Sequence, residues 1–162
     1  MILARPPVES EMAPQVTHPS PLAGGFLTGK VTFATENPQA NSLERTRWRG
    51  ESAFQLYGDL FDLPALHQAV RELKVACDAA SPPITLQEAS LRWILNHSAL
   101  RDGDAIIIGA KRLDQLESNV AEARGGPLDR AVLAAVENMW TIAEGSGTPT
   151  ISELMAKRQP KA

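Results

Sequence analysis

Asp104-Ala-Ile-Ile-Ile-Gly-Ala-Lys-Arg-Leu-Asp-Gln-Leu-Glu-Ser-Asn119 is the stretch that decides how this chain is read. Ala105 to Ile108 form a short apolar run without alternation, the pattern of a parallel strand covered on both faces. Gly109 then frees the backbone for a tight turn, Lys111 and Arg112 supply two cations, and Leu113, Leu116 and Val120 recur at helical spacing. A strand delivered into a helix start in this way builds an anion seat. The first N–H groups of the helix have no partner, the helix dipole adds partial positive charge, and the side-chain cations complete a place for a phosphate. The same residues also describe a plain strand-helix unit with a solvated Lys-Arg pair.

Working outward, a second element lies far upstream. Ser20-Pro-Leu-Ala-Gly-Gly-Phe-Leu-Thr-Gly-Lys30 is a glycine-rich loop after a strand-like stretch, Gln15 to His18. Gly24 to Lys30 satisfies most of the pattern G-x-x-x-x-G-K, but the next residue is Val31, where a nucleotide-hydrolysing loop needs a hydroxyl for magnesium. The following Val31-Thr-Phe-Ala-Thr-Glu-Asn-Pro is β-branched and then broken by proline, so no helix is expected there. The P-loop reading is therefore set aside.

Both elements together resemble the aldo-keto reductase superfamily, in particular its aflatoxin-aldehyde-reductase-like branch, common in fungi. Ser20 to Lys30 is similar to the segment leaving the seventh barrel strand of that family. Leu86-Gln-Glu-Ala-Ser-Leu-Arg-Trp-Ile-Leu-Asn-His-Ser-Ala-Leu100 resembles its long helix before strand eight, and Ile106 to Asn119 resembles strand eight with its adenosine-phosphate loop. Gly126-Pro-Leu-Asp-Arg-Ala-Val-Leu-Ala-Ala-Val-Glu-Asn-Met-Trp140 resembles the terminal helix. The resemblance implies an α/β fold that is part of a (β/α)8 TIM barrel, containing strands seven and eight and the C-terminal helices, with the N-terminal half of the barrel missing. Such barrels frequently seat phosphate on the loops after strands seven and eight.

The resemblance also implies the activity, NADPH-dependent reduction of an aldehyde or ketone, with fungal secondary metabolism as one setting and NADP(H) as cofactor. Ser20, Leu22, Gly24 and Lys30 would line the pyrophosphate, largely through backbone groups. Lys111 would meet the 2′-phosphate, with Gly109 and Ala110 leading the backbone in, and Gln115 and Asn119 would address the adenosine end. No catalytic residue and no metal ligand is assigned. The family's proton-donating Tyr, with its Lys, Asp and His partners, comes from the first half of the barrel, and 162 residues fall short of the roughly 250 of eight strand-helix units. The single tyrosine, Tyr57, reads as a surface or packing residue. Pro19 stands where the family usually places an aromatic residue against the nicotinamide, and the tail from Gly147 to Ala162 shows no substrate arginine in register.

Composition fits a globular chain, with 43% hydrophobic and 22% charged residues, and a net charge of −3 argues against general nucleic-acid binding. The lone cysteine, Cys77, falls on an apolar helical face with Val70 and Leu73 and reads as core. No apolar run reaches the length of a membrane span, so no membrane partner and a cytoplasmic location are expected. Residues 1–14 are expected to be a mobile N-terminal segment, 15–145 the barrel part, and 146–162 a mobile tail in which Lys157, Arg158 and Lys161 fray. A long irregular stretch from Val31 to about Asp62 carries Arg45, Arg47 and Trp48, either a lid or a surface loop. Pro64 opens a helix running to about Ala80, Thr85-Leu-Gln-Glu88 is a capping box, and Ala89, Trp93 and Ile94 form the stripe of that next helix. The last helix, from Leu128 to about Ala143, places Val132, Val136, Met139 and Trp140 on one side. His18, His67 and His97 neither pair at metal-ligand spacing nor lie near a nucleophile in sequence, and His97 reads as a helix-end residue favourable to the dipole.

Three functions stay open on this basis. One is an aldo-keto reductase, inactive as an isolated chain and taking a small-molecule carbonyl substrate once the rest of the barrel is supplied, by another chain or by a longer reading frame. The others are a noncatalytic NADP-binding or interaction module and a decayed remnant. Two parallel strands without covering partners further predict self-association.

Overall fold

The computed structural model describes residues 17–34, 48, 55–101, 104–147 and 153–154. Arg45, Arg47, the basic tail and most of both expected mobile ends lie outside the described residues. Two short strands, β1 (Thr17–Pro19) and β2 (Ala105–Ile107), pair in parallel, with Thr17 opposite Ala105, His18 opposite Ile106 and Pro19 opposite Ile107. Parallel neighbours require a long crossover, and the intervening chain supplies it with helices. The expected pairing direction of β2 is thus present, but its covering is not: Ala105 is exposed and Ile107 is 55% exposed.

β1 runs into the glycine-rich segment, which folds as a 3₁₀ helix over Ala23–Thr28 and ends on Gly29 in the left-handed region, φ 77°. Residues 31–34 form a turn rather than a helix, as the β-branched sequence predicts. A side chain at Gly24 would strike the ring of Tyr57, at 2.3 Å from its nearest carbon, so glycine there lets the aromatic ring lie on the backbone. That ring belongs to a short helix, α1 (Gln55–Phe61), inside the stretch expected to be irregular. Its sequence holds a mid-helix glycine and is too short for a propensity signal, so packing rather than local preference sustains it. Phe26 is the hub: Phe61 stacks on it at 5.7 Å, Trp48 lies at 5.8 Å, and Tyr57 stacks on Phe61 at 6.3 Å.

Helix α2 (Pro64–Ala79) begins with Pro64 in its first turn, where the missing N–H costs nothing. Helix α3 (Leu86–His97) starts at Thr85, whose Oγ1 accepts from the Glu88 N–H at 2.9 Å. The Glu88 carboxylate turns to Arg92 Nη1 at 2.9 Å, so the forward half of the expected capping box operates and the carboxylate serves an ion pair. Helix α4 (Leu113–Ala123) follows β2, and α5 (Arg130–Gly145) starts at Asp129, whose Oδ1 accepts from the Ala131 and Val132 N–H groups.

The core lies among α2, α3, α5 and the glycine-rich segment. Val70, Leu73 and Cys77 of α2, Leu86 and Ala89 of α3, and Val132 of α5 close around Phe26. Val136 and Met139 pack against it, while Trp140, expected on the same side, is 41% exposed. Helix α4 departs most from its sequence pattern. Leu113, Leu116 and Val120, the apolar stripe, face solvent, and its buried residue is Asn119. Tail residue Leu154 is buried.

Candidate nucleotide-binding site

The two segments singled out in the sequence face each other across a cleft of about 380 Å³. Leu22, Thr28 and Lys30 form the wall from the glycine-rich segment; Gly109, Arg112, Asp114 and the α4 residues Gln115, Ser118 and Asn119 form the other; Gln87 of α3 closes the floor. Of the residues assigned by resemblance, Leu22, Lys30, Gly109, Gln115 and Asn119 line this cleft, while Ser20, Gly24, Ala110 and Lys111 do not. Thr28, Gln87, Arg112 and Ser118 are additions. Gln87 carried no sequence signal toward the site, because it sits on another helix and arrives by tertiary packing alone.

Ser20 and Gly24 serve the loop itself. Ser20 Oγ accepts from the Gly24 N–H at 2.9 Å, and the Gly24 carbonyl accepts from Trp48 Nε1 at 3.1 Å. Gly109 stays outside the left-handed region, so a tight turn is not its use, and a Cβ there would meet nothing within 4 Å. Ala110 and Lys111 are exposed in the turn before α4, where the Lys111 N–H donates to Gln115 Oε1 at 3.2 Å.

At the start of α4 the cation on the wall is Arg112, which is also the N-cap residue and provides no side-chain cap, while the Asp114 carboxylate takes backbone hydrogen bonds from Gln115 and its own residue. The Arg112 guanidinium forks onto Asp114, with Nε 2.9 Å from Oδ1 and Nη2 on Oδ2. This hydrogen bonding holds the Asp114 carboxyl below its ordinary range and raises the Arg112 guanidinium further. Asn119, 3% exposed, has its Oδ1 buried without a hydrogen-bond partner among the described residues. An acceptor in that condition costs free energy unless a donor arrives from the cleft.

Helix α4 is docked on α3 by a carboxylate. Glu122 accepts from Gln87 Nε2 at 2.6 Å, from Thr85 Oγ1 at 3.2 Å and from Ser118 Oγ at 3.3 Å. It thereby sits at the N-terminus of α3, where the helix dipole favours negative charge.

The remaining candidates fall elsewhere. Tyr57 packs in the aromatic cluster, away from the cleft, as a packing tyrosine. His97, in the last turn of α3 as the sequence predicts, accepts the Leu128 N–H on Nε2 at 2.9 Å and so ties α3 to the chain entering α5. His67 meets Thr32 and Asp62, far apart in sequence from Thr32. No described helix is long and apolar enough to cross a membrane.

A strand-helix junction with a cation at the helix start, facing a glycine-rich loop across a cleft, is what the fold brings together, and comparison with known proteins gives the family. Residues 14–141 match the aldo/keto reductase family, and the chain belongs to that family. It is 34% identical over 146 residues to aflatoxin B1 aldehyde reductase member 2 of Homo sapiens, covering 82% of this chain and 39% of the human protein. An aldo-keto reductase of Pseudocercospora fijiensis is 35% identical over 133 residues, covering 80% of this chain and 43% of the fungal protein. The chain thus spans about two fifths of the length of these curated relatives.

Proposed function

We propose that these residues form the nucleotide-binding face of an NADP(H)-dependent aldo-keto reductase acting on an aldehyde or ketone, and that β1, β2 and their helices correspond to strands seven and eight of a (β/α)8 barrel. The observation that carries this is Asn119, a residue of the cleft lining whose Oδ1 is buried without a partner among the described residues; an adenine amino group is a donor of the kind it lacks. The residues present fit the rest of the group. Lys30 stands where an anionic pyrophosphate could run along the glycine-rich wall, and Arg112 with the α4 N-terminus offers a seat for a 2′-phosphate, Lys111 lying one residue before it.

A bound NADPH supplies the hydride for carbonyl reduction. This chain's part is to bind and orient it. The tuned proton donor that carbonyl reduction also needs is not among the cleft residues, and strand-helix units outside these 162 residues, in the same polypeptide or a second one, would contribute it. The names of the relatives point to aldehydes as the substrate class.

Titration of the 162-residue chain with NADPH and with NADH tests the reading. Lys111→Ala and Arg112→Ala are each expected to weaken NADPH binding about tenfold, as charge-assisted contacts of about 1.5–3 kcal/mol imply, and to change NADH binding little. Equal weakening of both cofactors removes the 2′-phosphate assignment. Asn119→Leu should weaken both, and unchanged binding in that variant removes the adenine assignment. Steady oxidation of NADPH by the chain alone with a panel of aldehydes would show that the chemistry resides within it, against this proposal.

A further inference from the structure

The glycine-rich wall of the cleft has its own hydrogen bonds but also an unusual run of backbone conformations. Ser20, Ala23, Gly24, Gly25 and Gly29 all take positive φ, two of them without the freedom of glycine. Such conformations persist where the surroundings over-determine them. One brace is already described: Trp48 Nε1 grips the Gly24 carbonyl.

The second brace comes from α2. Thr32 Oγ1 lies 2.9 Å from His67 Nδ1, and His67 Nε2 lies 2.9 Å from Asp62 Oδ1. The carboxylate sets the tautomer: Nε2–H donates to Asp62, which leaves Nδ1 to accept from the Thr32 hydroxyl. The same ring meets the face of Phe26 edge-on, with centroids 5.2 Å apart and planes at 68°. Hydroxyl, imidazole and carboxylate stand in the order of a nucleophilic triad, but Thr32 is 3% exposed, so no substrate reaches its oxygen. What the arrangement reaches is the loop: Phe26 in its middle and Thr32 just past its end, with the cleft residues Thr28 and Lys30 between them.

We propose that His67 is a positioning residue of the cleft, holding the glycine-rich wall, and with it Lys30, in place through Thr32 and Phe26 while Asp62 orients the ring. Its consequence for ligand binding rests on the nucleotide reading above; its consequence for the loop does not. Two variants of the 162-residue chain separate these. Thr32→Val removes only the hydroxyl, and His67→Phe keeps an aromatic ring against Phe26 while removing both hydrogen bonds.

Amide exchange at Leu27 and Gly29, whose N–H groups bond to the Leu22 and Phe26 carbonyls, is expected to quicken about tenfold in each variant, the effect of one lost net hydrogen bond. Exchange in α5 should stay unchanged, and the double variant should be no worse than His67→Phe alone, since both changes break one contact. NADPH affinity should fall several-fold, while affinity for adenosine 2′,5′-bisphosphate, which addresses the Gly109–Asn119 wall, should hold. His67→Gln, which keeps an acceptor for Thr32, should restore part of the loss. Unchanged exchange at Leu27 and Gly29, or strictly additive effects, would overturn the inference, as would equal loss for the two ligands. If the parent chain binds neither ligand, the nucleotide reading fails, and the exchange and additivity results still decide the brace.

Discussion

Asn119 and Arg112 show how much a single residue's role depends on what faces it. In the sequence Asn119 is one polar residue of an amphipathic helix; in the structure it is the buried one, a residue of the cleft lining whose oxygen has no partner among the described residues. Arg112 is a cation the sequence counts toward a phosphate, yet Asp114 already occupies its fork. A 2′-phosphate must compete with that carboxylate, so Asp114→Asn is expected to tighten NADPH binding a few-fold with NADH binding little changed, read by the same titrations; looser binding would mean that Asp114 orients the guanidinium rather than occupying it. Cys77 was legible as core, and its environment makes a prediction of another kind. Burial, with Asp78 adding to it, pushes the Cys77 thiol from 9.0 up to about 11. The neutral thiol is the form the fold favours, so its contribution to stability is full below pH 9.0 and is lost as pH rises toward 11. Denaturant melts across that window should show an alkaline decline that Cys77→Ala flattens, and iodoacetamide should leave the folded thiol unmodified at neutral pH. Alkylation at the rate of a free thiol would show that the α2 face opens.

At the scale of elements, what could be read from sequence is what is encoded locally. Pro64 in a first turn, Thr85 before Leu86 and Asp129 before Arg130 each mark a helix start through a chemical device spanning three or four residues. Asp129 is the best satisfied of these caps, accepting two N–H groups, and Asp129→Ala should destabilise the chain by about 1 kcal/mol in urea titration. No change in midpoint would place the start of α5 under tertiary control. His97→Ala should cost more, about 1–3 kcal/mol, because it strands the Leu128 N–H beside the same start. Helix α1 and the docking of Trp48 had no comparable signal: their reasons are Phe26 and Gly24, distant in sequence. The cleft follows the same rule. Its two walls were legible as a glycine-rich loop and a strand-to-helix junction, while Gln87 and the Glu122 clasp that set α3 against α4 were not, being contacts between helices.

For the whole molecule, the decisive fact is where apolar surface ends up. Sequence reasoning places the tertiary weakness in a sheet with two strands and predicts self-association from it. The structure localises it. Phe26, Leu73, Cys77 and Val132 close a core among the helices and the glycine-rich segment, whereas Ile107 of β2 and Leu113, Leu116 and Val120 of α4, 55%, 70%, 40% and 37% exposed, stand uncovered. Apolar residues recurring at helical spacing normally mark a buried face, and a parallel strand normally has neighbours. We expect that the further strand-helix units of a complete barrel cover this face, and that the 162-residue chain studied alone covers it with another copy of itself. Sedimentation should then show concentration-dependent association together with binding of a hydrophobic dye. The triple variant Leu113→Gln, Leu116→Gln, Val120→Lys should be monomeric and dye-silent, with the helical circular dichroism of the parent, because none of the three residues belongs to the core or lines the cleft. A parent chain that is monomeric without dye binding, or a triple variant that associates as strongly as the parent, would place the contact elsewhere and remove this face as the site where the barrel is completed.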